Sequence, residues 1–307
     1  MLIETIKPRN DAHWHKLRGQ DVTASTVGAL FGVHPYETLF GLWARKSGLM
    51  RPDAGLDNAA MMRGRYLEPV AVQILRDRHP DWTITHNAAE NVYYRDPENR
   101  VGATPDVIAE CPKRGRGIVQ IKSVEAGAFR RSWTTEDGDV EVPLWIALQA
   151  TVEAKLTGAV WAAVAPLVVS HGLDMPECEI ELIDGVYGEI CRRTADFWDA
   201  VANERRPDID PIRDAETIDD VYRRGFDDVE VDLTGDPDIL ELIAERQAAA
   251  AARSAAEARV TAAETRIKSA LGPATLAYLP GGRRATWRPQ RSAYGVRRVL
   301  RLPQMEQ

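Results

Sequence analysis

The sequence predicts an α/β fold, a mixed central sheet flanked by helices, extended by a long C-terminal helix and a basic hairpin. Three observations carry this expectation. Apolar residues recur at three- and four-residue intervals before residue 80, short β-rich runs bounded by turn residues fill 91–124, and Gly272-Pro273 closes an alanine-rich helical stretch.

Residues 11–50 read as helical, with Trp14, Leu17, Val27, Leu30, Leu39, Leu42 and Trp43 at mixed spacing, and a Pro/Asp/Gly loop follows at 51–58. Apolar positions 67, 70, 71, 74 and 75 predict an amphipathic helix over 59–79 that ends before Pro80. The period then changes to two. Residues 91–95, 101–109 and 117–124 read as a meander of antiparallel strands, separated by Asp96-Pro97-Glu98-Asn99 and by 111–116. Residues 144–156 return to helix, with Trp145, Leu148, Val152 and Leu156 on one face. A buried strand over 159–169, a half-exposed strand over 177–183 and a helix over 185–203 complete the core, in the order α-α-β-β-β-α-β-β-α.

The expected organisation is a core over 1–206, an acidic loop over 207–235, a long helix over 236–272 and a basic hairpin over 273–307. Asp236 serves as the expected cap of the long helix, with Pro237 at its first position. Its sparse apolar positions (239, 243, 260, 267 and 271) suit a solvated helix with one thin seam; an oligomer contact is the alternative. Gly281-Gly282 marks the turn of the hairpin.

Composition narrows the class. With 44% hydrophobic and 28% charged residues the chain reads as an ordinary soluble globular protein. Its three cysteines form no CxxC, which suits reduced thiols in the cytoplasm and excludes a four-cysteine iron–sulfur cluster. No apolar run is long enough for a membrane span, and residues 1–15 hold no apolar signal core. A net charge of −7 argues against a nucleic-acid partner, but the acid is local. Residues 204–245 hold 15 acids against five arginines, whereas 281–301 hold seven arginines and no acid. A phosphate-binding face elsewhere is therefore compatible with the charge.

Phosphodiester hydrolysis requires hard oxygen ligands for a small divalent cation, and a nearby ammonium can offset developing charge. Asp106 lies in Thr104-Pro105-Asp106 on the second β-run, and Gln120 and Lys122 lie on the third. Residues two apart on a strand share a face, so Gln120 and Lys122 point together while Val119 and Ile121 enter the core. Antiparallel pairing of the two runs brings Asp106 to that face. Four more residues sharpen the pattern. Glu68 follows Gly64 by four positions, Gln149 interrupts the apolar face of the next helix, and Arg18 and Ser25 stand seven apart near the N-terminus.

The order Arg-x₆-Ser, Gly-x₃-Glu, Thr-Pro-Asp, x-Ile-Lys and a helical Gln, over roughly 14–200, resembles the YqaJ-type viral recombinases and lambda exonuclease. That resemblance implies a PD-(D/E)xK, restriction-endonuclease-like core and a Mg²⁺-dependent DNA exonuclease, with Mn²⁺ substituting. It implies 5′-to-3′ action on duplex ends in phage-type recombination. It assigns Glu68, Asp106 and the Ile121 carbonyl to the metal, Lys122 to the attacking water, and Gln149 to the active-site edge. Arg18 and Ser25 would hold the 5′-phosphate. A single-strand annealing protein and a homo-oligomer are the implied partners. Two positions depart from the family pattern: Gln120 stands where a strand carboxylate is expected, as a neutral metal ligand, and Pro69 follows Glu68. Glu125 and Glu153 are the candidates for a relocated carboxylate. An endonuclease on the same core, or a DNA-end-binding module whose catalysis has lapsed, are the competing readings.

Overall fold

The computed structural model describes residues 2–50, 59–223, 229–292 and 295–304. They fall into two compact units, Met1–Phe226 and Asp227–Gln307.

Two mixed sheets organise the first unit. The smaller runs β1-β4-β5-β2. Here β1 (Glu4–Ile6), β4 (Tyr93–Asp96) and β5 (Val101–Ala103) are antiparallel, and β2 (Val22–Thr23) lies parallel to β5. The larger runs β10-β8-β7-β6-β3, with β9 paired to β8. It comprises β3 (Thr83–His86), β6 (Val107–Cys111), β7 (Gly115–Glu125), β8 (Trp161–Val169), β9 (Leu173–Asp174) and β10 (Cys178–Ile180). Strands β7 and β8 are parallel neighbours, and the other pairs are antiparallel.

The expected single run over 101–109 is two strands in different sheets. Thr104-Pro105 marks the break, because proline has no N–H to give a ladder. The chain leaves the small sheet after Ala103 and joins the large one at Val107, so Asp106 stands in the crossing rather than within a strand.

The region expected to be helical up to residue 50 contains α1 (Asp11–Gln20), a 3₁₀ segment (Ala24–Phe31) and α2 (Leu39–Lys46). Helix α1 starts where the Asn10 side chain accepts the His13 N–H at 2.9 Å. Helix α3 (Ala59–Arg78) covers one face of the large sheet through Ala71, Val72 and Leu75, packed on Val119, Ile121, Ala163 and Ala165. Pro69 lies in its interior rather than its first turn, on the exposed side. After the short α4 (Asn87–Glu90), α5 (Ala126–Ser132) and α6 (Leu144–Thr157) cover the opposite face.

Helix α6 is buried almost all round. Ile146, Ala150 and Ala154 pack on the large sheet, while Leu148, Val152 and Leu156 join the core formed by the 3₁₀ segment, α2 and α7 (Val186–Ala202). A helix so placed takes its polar residues inside with it. The segment expected to be an acidic loop contains α8 (Ala215–Tyr222), whose acids face solvent while Ile218 and Val221 pack inward.

In the second unit α9 (Ile239–Leu271) ends at Gly272, as its Gly-Pro signal predicts; its N-cap is Asp238, not Asp236. Only Leu271 on α9 is buried within this unit. The expected two-stranded hairpin is a three-stranded antiparallel sheet of β11 (Leu276–Tyr278), β12 (Arg284–Ser292) and β13 (Gly295–Arg301). Gly281-Gly282 joins β11 to β12, with both glycines at positive φ. Tyr294 lies outside the described residues.

Candidate active site

Register determines the first part of the site. Val107 pairs with Val119 across β6 and β7, which brings Asp106 beside Gln120. The Asp106 carboxylate accepts the Ile121 N–H at 2.8 Å and a short bond from the Gln120 side-chain amide. The same amide nitrogen lies 3.3 Å from the Ile121 carbonyl. Two oxygens thus converge on one donor. Gln120 is only 2% exposed, and its own carbonyl oxygen is buried with no hydrogen-bond partner among the described residues.

The second part is a buried relay. Lys122 Nζ donates to Gln149 Oε1 at 2.9 Å, and Gln149 Nε2 donates to Glu153 Oε1 at 2.8 Å. Lys122 also lies 5.3 Å from the centre of the Trp145 ring. Gly28 lets Trp145 approach the 3₁₀ segment, since a Cβ there would stand 2.8 Å from the Trp145 Cβ. Glu153 is 1% exposed, and its second oxygen has no hydrogen-bond partner among the described residues.

Electrostatics follow from this packing. Burial first, then the Glu68 charge, pushes the Asp106 carboxyl up to about 7 against the opposing pull of Lys122 and the Ile121 N–H. Burial also drives Glu153 well above the usual carboxylate range, helped by the charge of Asp106 and opposed by its Gln149 hydrogen bond and by Lys122. Glu68 is close enough to act on Asp106, but its carboxylate pairs with His86 Nε2 at 2.7 Å.

Arg18 and Ser25 meet at 3.2 Å, with Thr23 Oγ1 a further 3.1 Å from the Ser25 hydroxyl. The Arg18 guanidinium lies over the Trp14 ring at 4.4 Å, and Trp14 donates to Thr104 Oγ1 at 3.3 Å, two residues before Asp106. His34 connects this patch to the relay. It hydrogen-bonds the Ser25 backbone, packs on Trp145 at 4.9 Å and feels the charge of Lys122. Arg18 has no carboxylate partner among the described residues, and Lys46 donates to its backbone carbonyl at 2.6 Å.

Asp106, Gln120, Ile121, Lys122 and Gln149 therefore meet midway along β7, and Arg18 meets Ser25. Glu125 does not join them: its carboxylate caps α5, accepting from the Gly127 and Ala128 N–H groups at 2.8 and 3.0 Å. Glu153 does join them. Its signal in the sequence is a Gln-x₃-Glu pair on a helix that is apolar on both faces. The Glu68–His86 pair and the His34 bridge carried no signal, because their spacing follows no local period. Among the described residues no group of three His, Cys, Asp or Glu side chains forms a metal-binding cluster.

A mixed α/β core thus gathers an aspartate, a Gln-x-Lys strand and a helical glutamine. Residues 13–160 match the model of the YqaJ-like viral recombinase domain. Among solved structures, an alkaline exonuclease from Laribacter hongkongensis is 18% identical with a TM-score of 0.43, the match covering 63% of this chain and 94% of that one. The same enzyme in complex with dAMP is 16% identical, with a TM-score of 0.43 over 64% of this chain and 94% of that one. A SOX–DNA complex is 11% identical, with a TM-score of 0.39 over 64% and 68% of the two chains. No curated protein matches the sequence. No helix among the described residues is long and apolar enough to cross a membrane.

Proposed function

We propose that the protein is a divalent-metal-dependent DNA exonuclease of the PD-(D/E)xK type, acting 5′-to-3′ from duplex ends in phage-type recombination. The observation that carries this reading is the convergence of the Asp106 carboxylate and the Ile121 carbonyl on one point, now held by the Gln120 amide nitrogen, on the strand that carries Lys122. Those oxygens suit a small hard cation. The Gln120 oxygen, buried and without a partner among the described residues, is a third hard donor once the amide swings out of that point. Glu68 is the remaining carboxylate ligand, released from His86. Mg²⁺, with Mn²⁺ as substitute, would polarise the phosphodiester and lower the pKa of a bound water.

The chain's own residues do the rest. Lys122, held by Gln149, orients the attacking water and offsets charge on the phosphoryl oxygens. Arg18 and Ser25 grip the 5′-phosphate of the strand end through a guanidinium fork and a hydroxyl. A single-strand annealing protein is the fitting partner for the strand such an enzyme leaves, and a homo-oligomer would favour processive degradation.

A second reading rests on the Gln120–Asp106 bond. If the amide remains a donor to Asp106, the site is a DNA-end-binding module without hydrolysis. Linear and circular duplex DNA, incubated with Mg²⁺ and with EDTA, separate the cases. Mg²⁺-dependent loss of linear DNA alone supports the exonuclease. Nicked or linearised circles make it an endonuclease, and binding without hydrolysis favours the end-binding module.

A further inference from the structure

The C-terminal unit carries a charged surface that the nuclease site does not use. Strands β12 and β13 hold six arginines and no acidic residue. Their register sorts them onto two faces. The pairs Thr286↔Arg301, Arg288↔Val299 and Gln290↔Arg297 place Arg284, Arg288, Arg297 and Arg301 on one face with Thr286 and Gln290. Ala285, Trp287, Arg291, Arg298 and Leu300 fall on the other.

The two faces differ in what they touch. On the second, Ala285 is 1% exposed, and Arg298 lies over the Trp287 ring at 3.8 Å. Arg298 also donates to the Trp287 and Gly272 carbonyls at 3.0 and 3.1 Å, tying the sheet to the end of α9. That arginine and that tryptophan are engaged within the unit, which leaves the other face to be considered.

The first face is open. Arg284, Arg288, Arg297 and Arg301 are all exposed around the half-buried Thr286 and Val299. A shallow concavity of about 210 Å³ is lined by Thr286, Arg288, Pro289, Gln290, Val299 and Arg301. Arg288, Arg297 and Arg301 have no carboxylate partner among the described residues, whereas Arg253 in the same unit pairs with Glu257 at 3.7 Å. Tyr278, the exposed ring on this face, has the Arg284 guanidinium over it at 5.5 Å and is not a free platform for a base.

We propose that this face is a second DNA-binding surface, contacting the phosphate backbone of duplex DNA through Arg288, Arg297 and Arg301. It takes its ligand class from the nuclease reading and adds a contact remote in sequence from the cleavage residues. Unpaired guanidinium groups beside a hydroxyl and an amide are donors suited to phosphate oxygens. With Tyr278, its ring among the described residues, under the Arg284 guanidinium, the face offers chiefly charge, which fits a duplex better than a single strand.

The test uses the full chain in EDTA, with a labelled duplex lacking 5′-phosphates and fluorescence anisotropy across a salt titration. The triple variant Arg288→Gln/Arg297→Gln/Arg301→Gln should weaken binding on the order of tenfold or more and flatten the plot of log affinity against log salt by about 2.7 units. Arg288→Lys/Arg297→Lys/Arg301→Lys should keep most of that slope, and the melting temperature of each variant verifies its fold. Unchanged affinity and slope in a folded triple Gln variant overturn the proposal, and a loss confined to single-stranded DNA overturns its duplex assignment. The nuclease reading fails on a different result, the absence of Asp106-dependent hydrolysis, which leaves this binding measurement intact.

Discussion

Lys122 and Gln149 are joined by a hydrogen bond of 2.9 Å from β7 to α6, and Gln149 in turn is held by Glu153. The ammonium is therefore oriented by a helix buried on both sides, not by solvent. A lysine so fixed can act on an attacking water without losing rotamer freedom at that moment. Lys122→Ala should lower kcat by roughly 100-fold or more while DNA affinity changes little, because other phosphate contacts remain. Gln149→Met should lower kcat less, by about tenfold, through misplacement of the amine. Single-turnover rates and anisotropy separate the two quantities. Equal losses of binding and rate in Lys122→Ala would make it a phosphate clamp.

Asp106 is held at an energetic cost. Its carboxyl is pushed up to about 7 by burial and by Glu68, so its folded pKa exceeds the unfolded one. Stability from this group is then greatest below the unfolded pKa and is lost as pH rises through about 7. Asp106→Asn should abolish hydrolysis, at least about 100-fold, yet melt no lower than the wild type. Without metal, its advantage in melting temperature should be larger at pH 8 than at pH 5. A folded Asp106→Asn protein with wild-type rates would remove this residue from the site.

Much of the core was legible because its signals are local. The helix over 59–79 and the strand over 159–169 follow period and turn chemistry, and β7 puts Gln120 and Lys122 on one face by alternation alone. What was hidden depends on contacts far apart in the chain. Thr104-Pro105 looks like an interruption within one strand, but it is where the chain changes sheets. The burial of Glu153 comes from α6 being covered on both sides, which its residue pattern suggests only weakly. Trp287 stands among arginines in the sequence, and only the fold shows that the Arg298 guanidinium covers its ring.

Arg18 meets Ser25 beside an indole ring and has no acid to neutralise it among the described residues. An anionic ligand would complete the set. Removing the 5′-phosphate from linear duplex should slow the wild type, and Arg18→Ala should process both substrates at nearly the same reduced rate. Full discrimination retained by Arg18→Ala would sink the assignment.

His34 is held neutral, its pKa lowered to about 4 chiefly by burial, with Lys122, Arg213 and Arg45 adding to the shift. Its Nδ1 accepts the Tyr36 N–H at 3.2 Å, which protonation would forbid. A depressed folded pKa means that stability from this group is present above the unfolded value and lost as pH falls through about 4. His34→Gln should therefore lose less stability than the wild type between pH 6.5, the ordinary histidine value, and about 4, even if it begins less stable. Parallel curves of denaturation midpoint against pH would show that His34 does not titrate there.

Gln120 and Glu153 together decide how the site would hold a cation. Gln120 is neutral and its carbonyl oxygen is buried without a partner, while Glu153 has one buried oxygen in the same condition. The carboxyl absent from β7 thus stands on α6, where burial first and then the charge of Asp106 raise its pKa. If Glu153 is the relocated carboxylate, Glu153→Gln should weaken Mg²⁺ binding measured by calorimetry without DNA. Gln120→Glu should strengthen it, because a carboxylate replaces a neutral ligand at coordination distance, where Coulomb attraction is large even when screened. The same substitution should lower the stability of the metal-free protein, since it removes the donor to Asp106 and sets a like charge beside it. Mg²⁺ should restore that loss. If Gln120→Glu instead eliminates both activity and Mg²⁺ binding, the amide acts as a donor and the metal assignment is wrong. If only Gln120→Glu hydrolyses DNA while the wild type is inert with every divalent cation, the end-binding module is the right description of the natural chain.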